Sequence, residues 1–201
     1  VYTGFKWIAN VMRENEGKKN YIGGGEESYG FLCEDFVRDK DAVSACVILA
    51  EIAAWAKDQG LSLYQLLQKI YVEYGFSKEK GISVVKKGKS GAEEIEAMMK
   101  KFRENPLTEI AGSKVTYFYD YSTLKGKDYA ENETVTLDMP TTSNVLQYFT
   151  EDNTKVSIRP SGTEPKIKFY CEVHSKVKSI DELPEAEKAA EEKINQIKAS
   201  L

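Results

Sequence analysis

The 201-residue sequence has little of what marks several common classes of protein. It contains one histidine, three cysteines and five prolines. No apolar stretch approaches the roughly 20 residues that cross a membrane, and no signal-peptide pattern is present. The cysteines form no Cys-x-x-Cys pair, which indicates reduced thiols rather than a disulfide framework. We therefore expect a cytoplasmic protein with no membrane partner.

A large excess of either charge is also lacking. The formal net charge is −4 at pH 7, which argues against nucleic acid or an anionic membrane as a general partner. Hydrophobic residues make up 41 % and charged residues 30 %, as is typical of a globular protein. This length suffices for one large or two small domains.

The hydrophobic pattern changes after about Phe76. Residues 39–60 are apolar on nearly all sides, which predicts a buried helix, with Asp41 as its N-cap. A second helix follows, and Ser62 with Gln65 fits a capping box at its start. We assign residues 1–79 to the C-terminal part of a mixed α/β domain.

Residues 80–201 form the second predicted domain. They contain a strand signal at 81–88 and a helix signal at 90–105, with Ser90 and Glu93 as its capping box. Several strand-like runs follow, and then a last helix from about 184 to 200. The expected order is β-α-β(4)-α. The whole chain is therefore predicted to be a mixture of α+β and α/β architecture.

The segment SIRPSGTEPKIKFY, residues 157–170, is dense in groups that bind anions. Two alternating strands flank a turn that offers hydroxyl groups, backbone N–H groups, a planar guanidinium and an ammonium group. The candidate phosphate-binding residues are Arg159, Ser161, Gly162, Thr163 and Lys168. The alternative is an ordinary hairpin loop in which Arg159 pairs with Glu164.

The segment GGGEESYG, residues 23–30, is a glycine-rich loop without the spacing of a P-loop or a dinucleotide fingerprint. Glu26 and Ser28 lie two residues apart, so both can face one way and hydrogen-bond the vicinal hydroxyls of a sugar. A metal site is disfavoured because only two carboxylates converge and no histidine is near. A lead-in to a helix and a solvated acidic turn remain as alternatives.

Two other features have a functional and a plain interpretation. Arg38 and Lys40 precede a predicted helix N-terminus, where anions are attracted, but both can equally be surface residues. His174 has no serine or cysteine partner at an interpretable spacing, so we interpret it as a surface residue.

Four segments together resemble one family. TGFK at 3–6, GGEESYGF at 24–31, VRDKDA at 37–42 and RPSGTEPKIKFY at 159–170 are similar, in this order, to motifs of the α-D-phosphohexomutases. The bacterial phosphoglucomutase and phosphomannomutase branch is the most similar. The resemblance implies the end of domain 3 followed by all of domain 4, the latter with a fold like the TATA-box-binding protein.

The resemblance also implies a reaction. Family members are isomerases of carbohydrate metabolism, intramolecular phosphotransferases that interconvert hexose 1-phosphate and hexose 6-phosphate. They use a phosphoserine, Mg²⁺ and a bisphosphorylated sugar, which here implies glucose 1,6-bisphosphate. By position, the sugar-binding residues would be Thr3, Glu26, Ser28 and Lys40. The phosphate loop would comprise Arg159, Ser161, Gly162 and Thr163, with Lys168 where some relatives carry arginine.

The sequence departs from the family in two ways. It contains neither an ASHNP-like serine segment nor a DGDxDR-like metal loop, so we expect part of a longer protein, inactive without its N-terminal domains. Mannose-accepting relatives often read GEMSGH, whereas Glu27, Tyr29 and Gly30 differ here, which favours glucose. A phosphomannomutase, a phosphopentomutase and a non-catalytic sugar-phosphate-binding module are the alternatives.

Overall fold

A computed structural model describes residues 1–26, 29–86, 88–162 and 164–200, with the backbone alone described at Lys89. The chain separates into two compact units, residues 1–67 and residues 68–201. We call them the N-terminal unit and the C-terminal unit. Within the described ranges, no helix combines the length and apolar character that crossing a membrane requires.

The N-terminal unit has few layers. In chain order it contains helix α1 (Phe5–Glu14), strands β1 (Gly23–Glu26) and β2 (Gly30–Cys33), helix α2 (Ala42–Asp58) and the start of helix α3 (Leu63–Tyr74). β1 and β2 form a two-stranded antiparallel hairpin. A small core joins α1 to this hairpin through Phe5, Met12 and Leu32.

The predicted helix starts in this unit are confirmed. The Asp41 carboxylate accepts a hydrogen bond of 2.9 Å from the backbone N–H of Ser44, which caps α2. Ahead of α3, the Ser62 N–H donates to Gln65 Oε1 at 2.8 Å, and the Gln65 N–H donates to Ser62 Oγ at 3.2 Å. These reciprocal bonds form the expected capping box.

The prediction that α2 is a buried helix is wrong. Ala56 is its one buried residue, whereas Val43 is 73 % exposed and Trp55 is 55 % exposed. The helix packs against β2, and this unit places no second sheet or helix layer over its other apolar sides among the described residues. An all-round apolar pattern leads to burial only when elements are available to cover it.

The C-terminal unit is built on one antiparallel sheet. Its elements are β3 (Phe76–Val85), α4 (Gly88–Glu104), β4 (Glu109–Ile110), β5 (Ser113–Asp120), β6 (Lys125–Asp128), β7 (Glu133–Thr136), β8 (Leu146–Thr150), β9 (Lys155–Pro160), β10 (Lys166–Ser175), a short 3₁₀ turn (Ile180–Glu182) and α5 (Leu183–Ser200). The strand order is β3-β10-β9-β8-β5-β6-β7, and β4 pairs with β5.

This order confirms the predicted β-α-β(4)-α arrangement, as β3, α4, β5, β8, β9, β10 and α5. The β6–β7 hairpin lies between β5 and β8 in the chain and extends the sheet, an addition that the sequence analysis did not resolve into two strands. Helix α4 begins at Gly88, so Ser90 lies inside its first turn. The capping box predicted for Ser90 and Glu93 is therefore wrong.

Alternation along β10, together with the buried Val156 and Ile158 of β9, gives the sheet a buried face and an open face. Ile158, Ile167 and Phe169 are each 0 % exposed and belong to one core with residues of α4 and α5. Both helices therefore cover the same face of the sheet. Arg159 and Lys168 alternate with these residues and point to the other face.

Candidate functional site

The candidate phosphate loop joins β9 to β10 and is held at both ends. Pro160 pairs with Ile167 in the ladder, and the Ser161 N–H donates to the Lys166 carbonyl at 2.7 Å. The Lys86 N–H donates to the Pro165 carbonyl at 2.9 Å. These bonds anchor the two ends of the loop, at Ser161 and Pro165, to the sheet.

Arg159 and Lys168 are brought together at the base of this loop. They are cross-strand partners on β9 and β10, so their side chains share the open face of the sheet. The Lys168 Nζ lies 5.8 Å from the centre of the Tyr170 ring. Within the part of the chain that the structure describes, the Arg159 guanidinium forms no hydrogen bond or ion pair. Two cations thus stand side by side, and the guanidinium is available to an anion.

The alternative pairing of Arg159 with Glu164 is not formed. Glu164 pairs instead with Lys166, at 2.6 Å between Oε2 and Nζ. The hydrogen bond from Lys166, supported by its charge, lowers the pKa of the Glu164 carboxyl below its ordinary value. Because Lys166 is engaged in this pair, the contacts favour Lys168 over Lys166 as the second cation for a ligand.

Neither the backbone conformation nor the space around Gly162 requires a glycine at this position. A Cβ added there would meet no heavy atom within 4 Å, and its φ is not positive. Its N–H takes part in no backbone hydrogen bond among the described residues. Thr163, also assigned to this loop from sequence, lies outside the described residues.

The loop borders a groove of about 900 Å³ in the C-terminal unit. Ser161 and Gly162 line one side, and residues of α4, including Arg103, line the other. The Arg103 Nε donates to Asp120 at 2.9 Å, and its terminal nitrogen donates to the Asn144 amide oxygen at 2.9 Å. Sequence reasoning missed this cluster, since its members are dispersed along the chain without a motif.

The glycine-rich hairpin places Glu26 and Lys40 around one glycine. Glu26 pairs with Gly30 across the β1–β2 ladder. A Cβ added at Gly30 would lie 3.0 Å from Glu26 Oε2 and also 3.0 Å from Lys40 Cδ. Glycine therefore lets a carboxylate and an ammonium-bearing side chain approach one spot. Ser28 and Glu27 lie outside the described residues.

Thr3 lies two residues before the start of α1, and Phe5 of that helix is close to Lys40. Thr3 is exposed, whereas Phe5 is buried. The Lys40 Nζ lies 5.7 Å from the centre of the Phe5 ring and 3.1 Å from Asp39 Oδ1. The N-terminal unit thus gathers Glu26 and Lys40, and it places Thr3 just before the aromatic ring beneath Lys40.

The remaining candidates have ordinary partners. Arg38 forms an ion pair of 3.0 Å with Glu16. The Asp41 carboxylate already caps the N-terminus of α2, which occupies the position where an anion would be attracted. His174 is exposed, as expected, and its Nε2 lies 2.7 Å from Glu172 Oε1.

The structure thus defines an α+β chain with two polar loops, one rich in cations and one bearing a carboxylate. Residues 1–74 match the family model for phosphoglucomutase/phosphomannomutase, alpha/beta/alpha domain III. Residues 82–190 match the family model for the phosphoglucomutase/phosphomannomutase C-terminal domain. The chain belongs to the phosphoglucomutase/phosphomannomutase family of phosphohexomutases, as the four motifs predicted.

Curated relatives and a solved structure agree with this assignment. A phosphoglucomutase of Staphylococcus haemolyticus (strain JCSC1435) is 38 % identical over 174 residues, which cover 87 % of this chain and 31 % of the relative. One of Staphylococcus aureus (strain bovine RF122 / ET3-1) is 41 % identical over 170 residues, or 85 % of this chain and 30 % of the relative. The chain therefore spans about a third of the length of these relatives.

The open form of pp63/parafusin (phosphoglucomutase) from Paramecium has a similar fold. The TM-score is 0.54 at 16 % identity, over 97 % of this chain and 34 % of that one. At this identity the likeness concerns the fold alone. It supports the predicted fold class, a mixed α/β part followed by a domain built on an antiparallel sheet.

Proposed function

We propose that this chain is the substrate-recognition part of a phosphoglucomutase, which interconverts glucose 1-phosphate and glucose 6-phosphate through a glucose 1,6-bisphosphate intermediate. The names of the relatives support glucose as the sugar. The partners of the chain would be the hexose phosphate and the N-terminal domains that such enzymes carry.

The observation that carries this proposal is the unpaired guanidinium of Arg159 beside Lys168, among the described residues at the base of the 161–165 loop. A guanidinium fork matches two oxygens of a phosphate group, and a neighbouring ammonium adds a point charge. Gly162 has no role in the fold that requires glycine, so close approach of a ligand to its backbone accounts for it. Ser161 and Thr163 would add hydroxyl donors.

The sugar would be held by the other loop. The Glu26 carboxylate can accept hydrogen bonds from two vicinal hydroxyls, with Ser28, Lys40 and Thr3 as the further partners that the family motifs predict. Turning glucose over between its two reacting poses roughly exchanges the equatorial 3- and 4-hydroxyls. One carboxylate that hydrogen-bonds this pair of hydroxyls can therefore bind the sugar in both poses.

The contribution of these residues is to position the sugar phosphate and to neutralise its charge, without making or breaking bonds. The described residues contain no group of three or more His, Cys, Asp or Glu side chains placed to hold a metal ion. No step through a metal is therefore assigned to the residues of this chain. Phosphoryl transfer would require a phosphoserine and metal loop supplied by other domains.

Replacement of Arg159 by alanine in the full-length enzyme tests the proposal. We expect kcat/KM for glucose 1-phosphate to fall by about 30- to 1,000-fold, because a charge-assisted contact to a dianion is lost. The exposed cation Lys69 is the control, and Lys69→Ala should retain the parental kcat/KM. Parental kcat/KM in Arg159→Ala would refute the role of the loop. Faster turnover of mannose 1-phosphate or a pentose 1-phosphate than of glucose 1-phosphate would reassign the substrate.

A further inference from the structure

Tyr29, at the tip of the β1–β2 hairpin, has an unfavourable backbone conformation with no visible compensation. Its φ is +60°, in the left-handed region that residues with a Cβ disfavour. Its side chain is fully exposed, at 108 % of the reference value, so its ring gains nothing from packing. A glycine at this position would relieve the backbone and would lose no contact of the fold.

The other residues with this conformation are of a different kind. Among the described residues, the remaining non-glycine positions with positive φ are Glu34, Ala111, Leu124, Asn132 and Asn153. Asparagine tolerates this region well, and none of the five is aromatic. Tyr29 therefore combines a bulky aromatic side chain with a positive φ and full exposure.

The position of Tyr29 relates it to the candidate sugar site. It is the residue before Gly30, the spot that Glu26 Oε2 and Lys40 Cδ both approach. A carboxylate that accepts hydrogen bonds from hydroxyl groups contacts the edge of a pyranose, where the equatorial hydroxyls lie. The two faces of that ring consist of C–H groups, for which an aromatic ring is a suitable partner.

We infer that Tyr29 is a substrate-contacting and specificity-determining residue, whose ring covers a C–H face of the hexose held by Glu26. This inference rests on the proposed function and extends it. Both faces of the glucose ring beside C2, C3 and C4 carry hydrogens only, so either face can meet the phenol ring when the sugar turns over. Mannose has an axial 2-hydroxyl on one face, so one of its two poses would be hindered.

The test compares Tyr29→Gly, Tyr29→Phe and Glu34→Gly in the full-length enzyme. Tyr29→Gly should raise KM for glucose 1-phosphate by about three- to tenfold, lower the preference for glucose over mannose, and leave Tm unchanged or higher. Tyr29→Phe keeps the ring and should keep the parental KM. Glu34 shares the positive φ in the same unit, so Glu34→Gly should relieve the backbone equally without changing KM.

Two results would overturn the inference. One is a parental KM and sugar preference in Tyr29→Gly while Arg159→Ala and Glu26→Gln still weaken binding, which would leave the proposed function standing. The other is a clear fall in Tm for Tyr29→Gly, which would mean that the ring packs within the fold. If Arg159→Ala and Glu26→Gln also retain parental kinetics, the proposed function fails together with the inference.

Discussion

The two units support their polar loops in different ways. The 161–165 loop of the C-terminal unit joins two inner strands whose core residues, such as Ile158 and Ile167, are 0 % exposed. The hairpin of the N-terminal unit has only two strands and a core of Phe5, Met12 and Leu32. Similar apolar patterns thus gave a closed core in one unit and an exposed helix in the other. The number of covering layers decides between these outcomes.

The largest effect expected from this contrast is on stability. Phe169 is fully buried and contacts Phe102 edge-on, with ring centres 6.2 Å apart. Phe169→Ala should lower the free energy of unfolding by about 3–5 kcal/mol, because it removes apolar contacts and leaves a cavity. Urea unfolding of the chain, followed by circular dichroism, measures this loss.

The matched control lies in α2. Val47 is 53 % exposed, so Val47→Ala should change the free energy of unfolding by less than about 0.5 kcal/mol. Equal losses in the two variants would show that α2 is covered in solution and would remove the contrast between the units.

A smaller effect is expected in cysteine reactivity. Cys171 on β10 is 1 % exposed, and burial raises the pKa of its thiol to about 11. Cys46 on α2 is exposed. A thiol reagent at pH 8 should modify Cys46 at least about a hundredfold faster than Cys171, because the latter reacts only after the sheet opens.

Peptide mass spectrometry over time distinguishes the two cysteines, and Cys46→Ser provides the control. Comparable rates for Cys46 and Cys171 would contradict the tight closure of the C-terminal core.

The smallest effect concerns acid stability of the open sheet face. Burial raises the pKa of Glu172, but hydrogen bonds and charge from Lys155 and His174 outweigh it, so the pKa lies below its ordinary value of 4.5. A carboxyl whose pKa is lowered by folding contributes stability above its unfolded pKa and loses that contribution as pH falls through the folded pKa. Glu172→Gln should therefore be less stable than the parent at pH 7, and the difference should shrink below pH 4.5.

Urea titrations between pH 3 and pH 7 measure this difference, and Glu151→Gln, at an exposed site, should show none. A difference for Glu172→Gln that does not vary with pH would indicate a packing effect rather than an ionic one.

Local sequence signals accounted for helix ends and strand faces. The caps at Asp41 and Ser62 depend on side chains within three residues of the helix start, so they could be predicted. The capping box at Ser90 failed because α4 extends back to Gly88. The β6–β7 hairpin escaped detection as two strands because runs of four residues carry little periodicity.

The candidate sites were predicted by residue type and by resemblance, and their contacts were not. No spacing indicated that Glu164 would pair with Lys166 and leave Arg159 without a partner among the described residues. Likewise, the approach of Glu26 and Lys40 to Gly30 is seen only in the folded hairpin. Glu26 faces Gly30 across the β1–β2 ladder, and Lys40, which follows β2 in the chain, extends its side chain back to the same glycine.

By itself, the sequence determined the family, the order of elements in the C-terminal unit and the inward positions of β9 and β10, since these depend on motifs and on local periodicity. The tertiary structure alone decided that α2 is largely exposed, which charges neutralise one another, and that Tyr29 has an unfavourable backbone conformation without packing. Burial depends on which distant elements meet. The choice of Lys166 over Arg159 as the partner of Glu164, and the conformation of Tyr29, depend on how each hairpin closes in three dimensions, which the residue types alone do not specify.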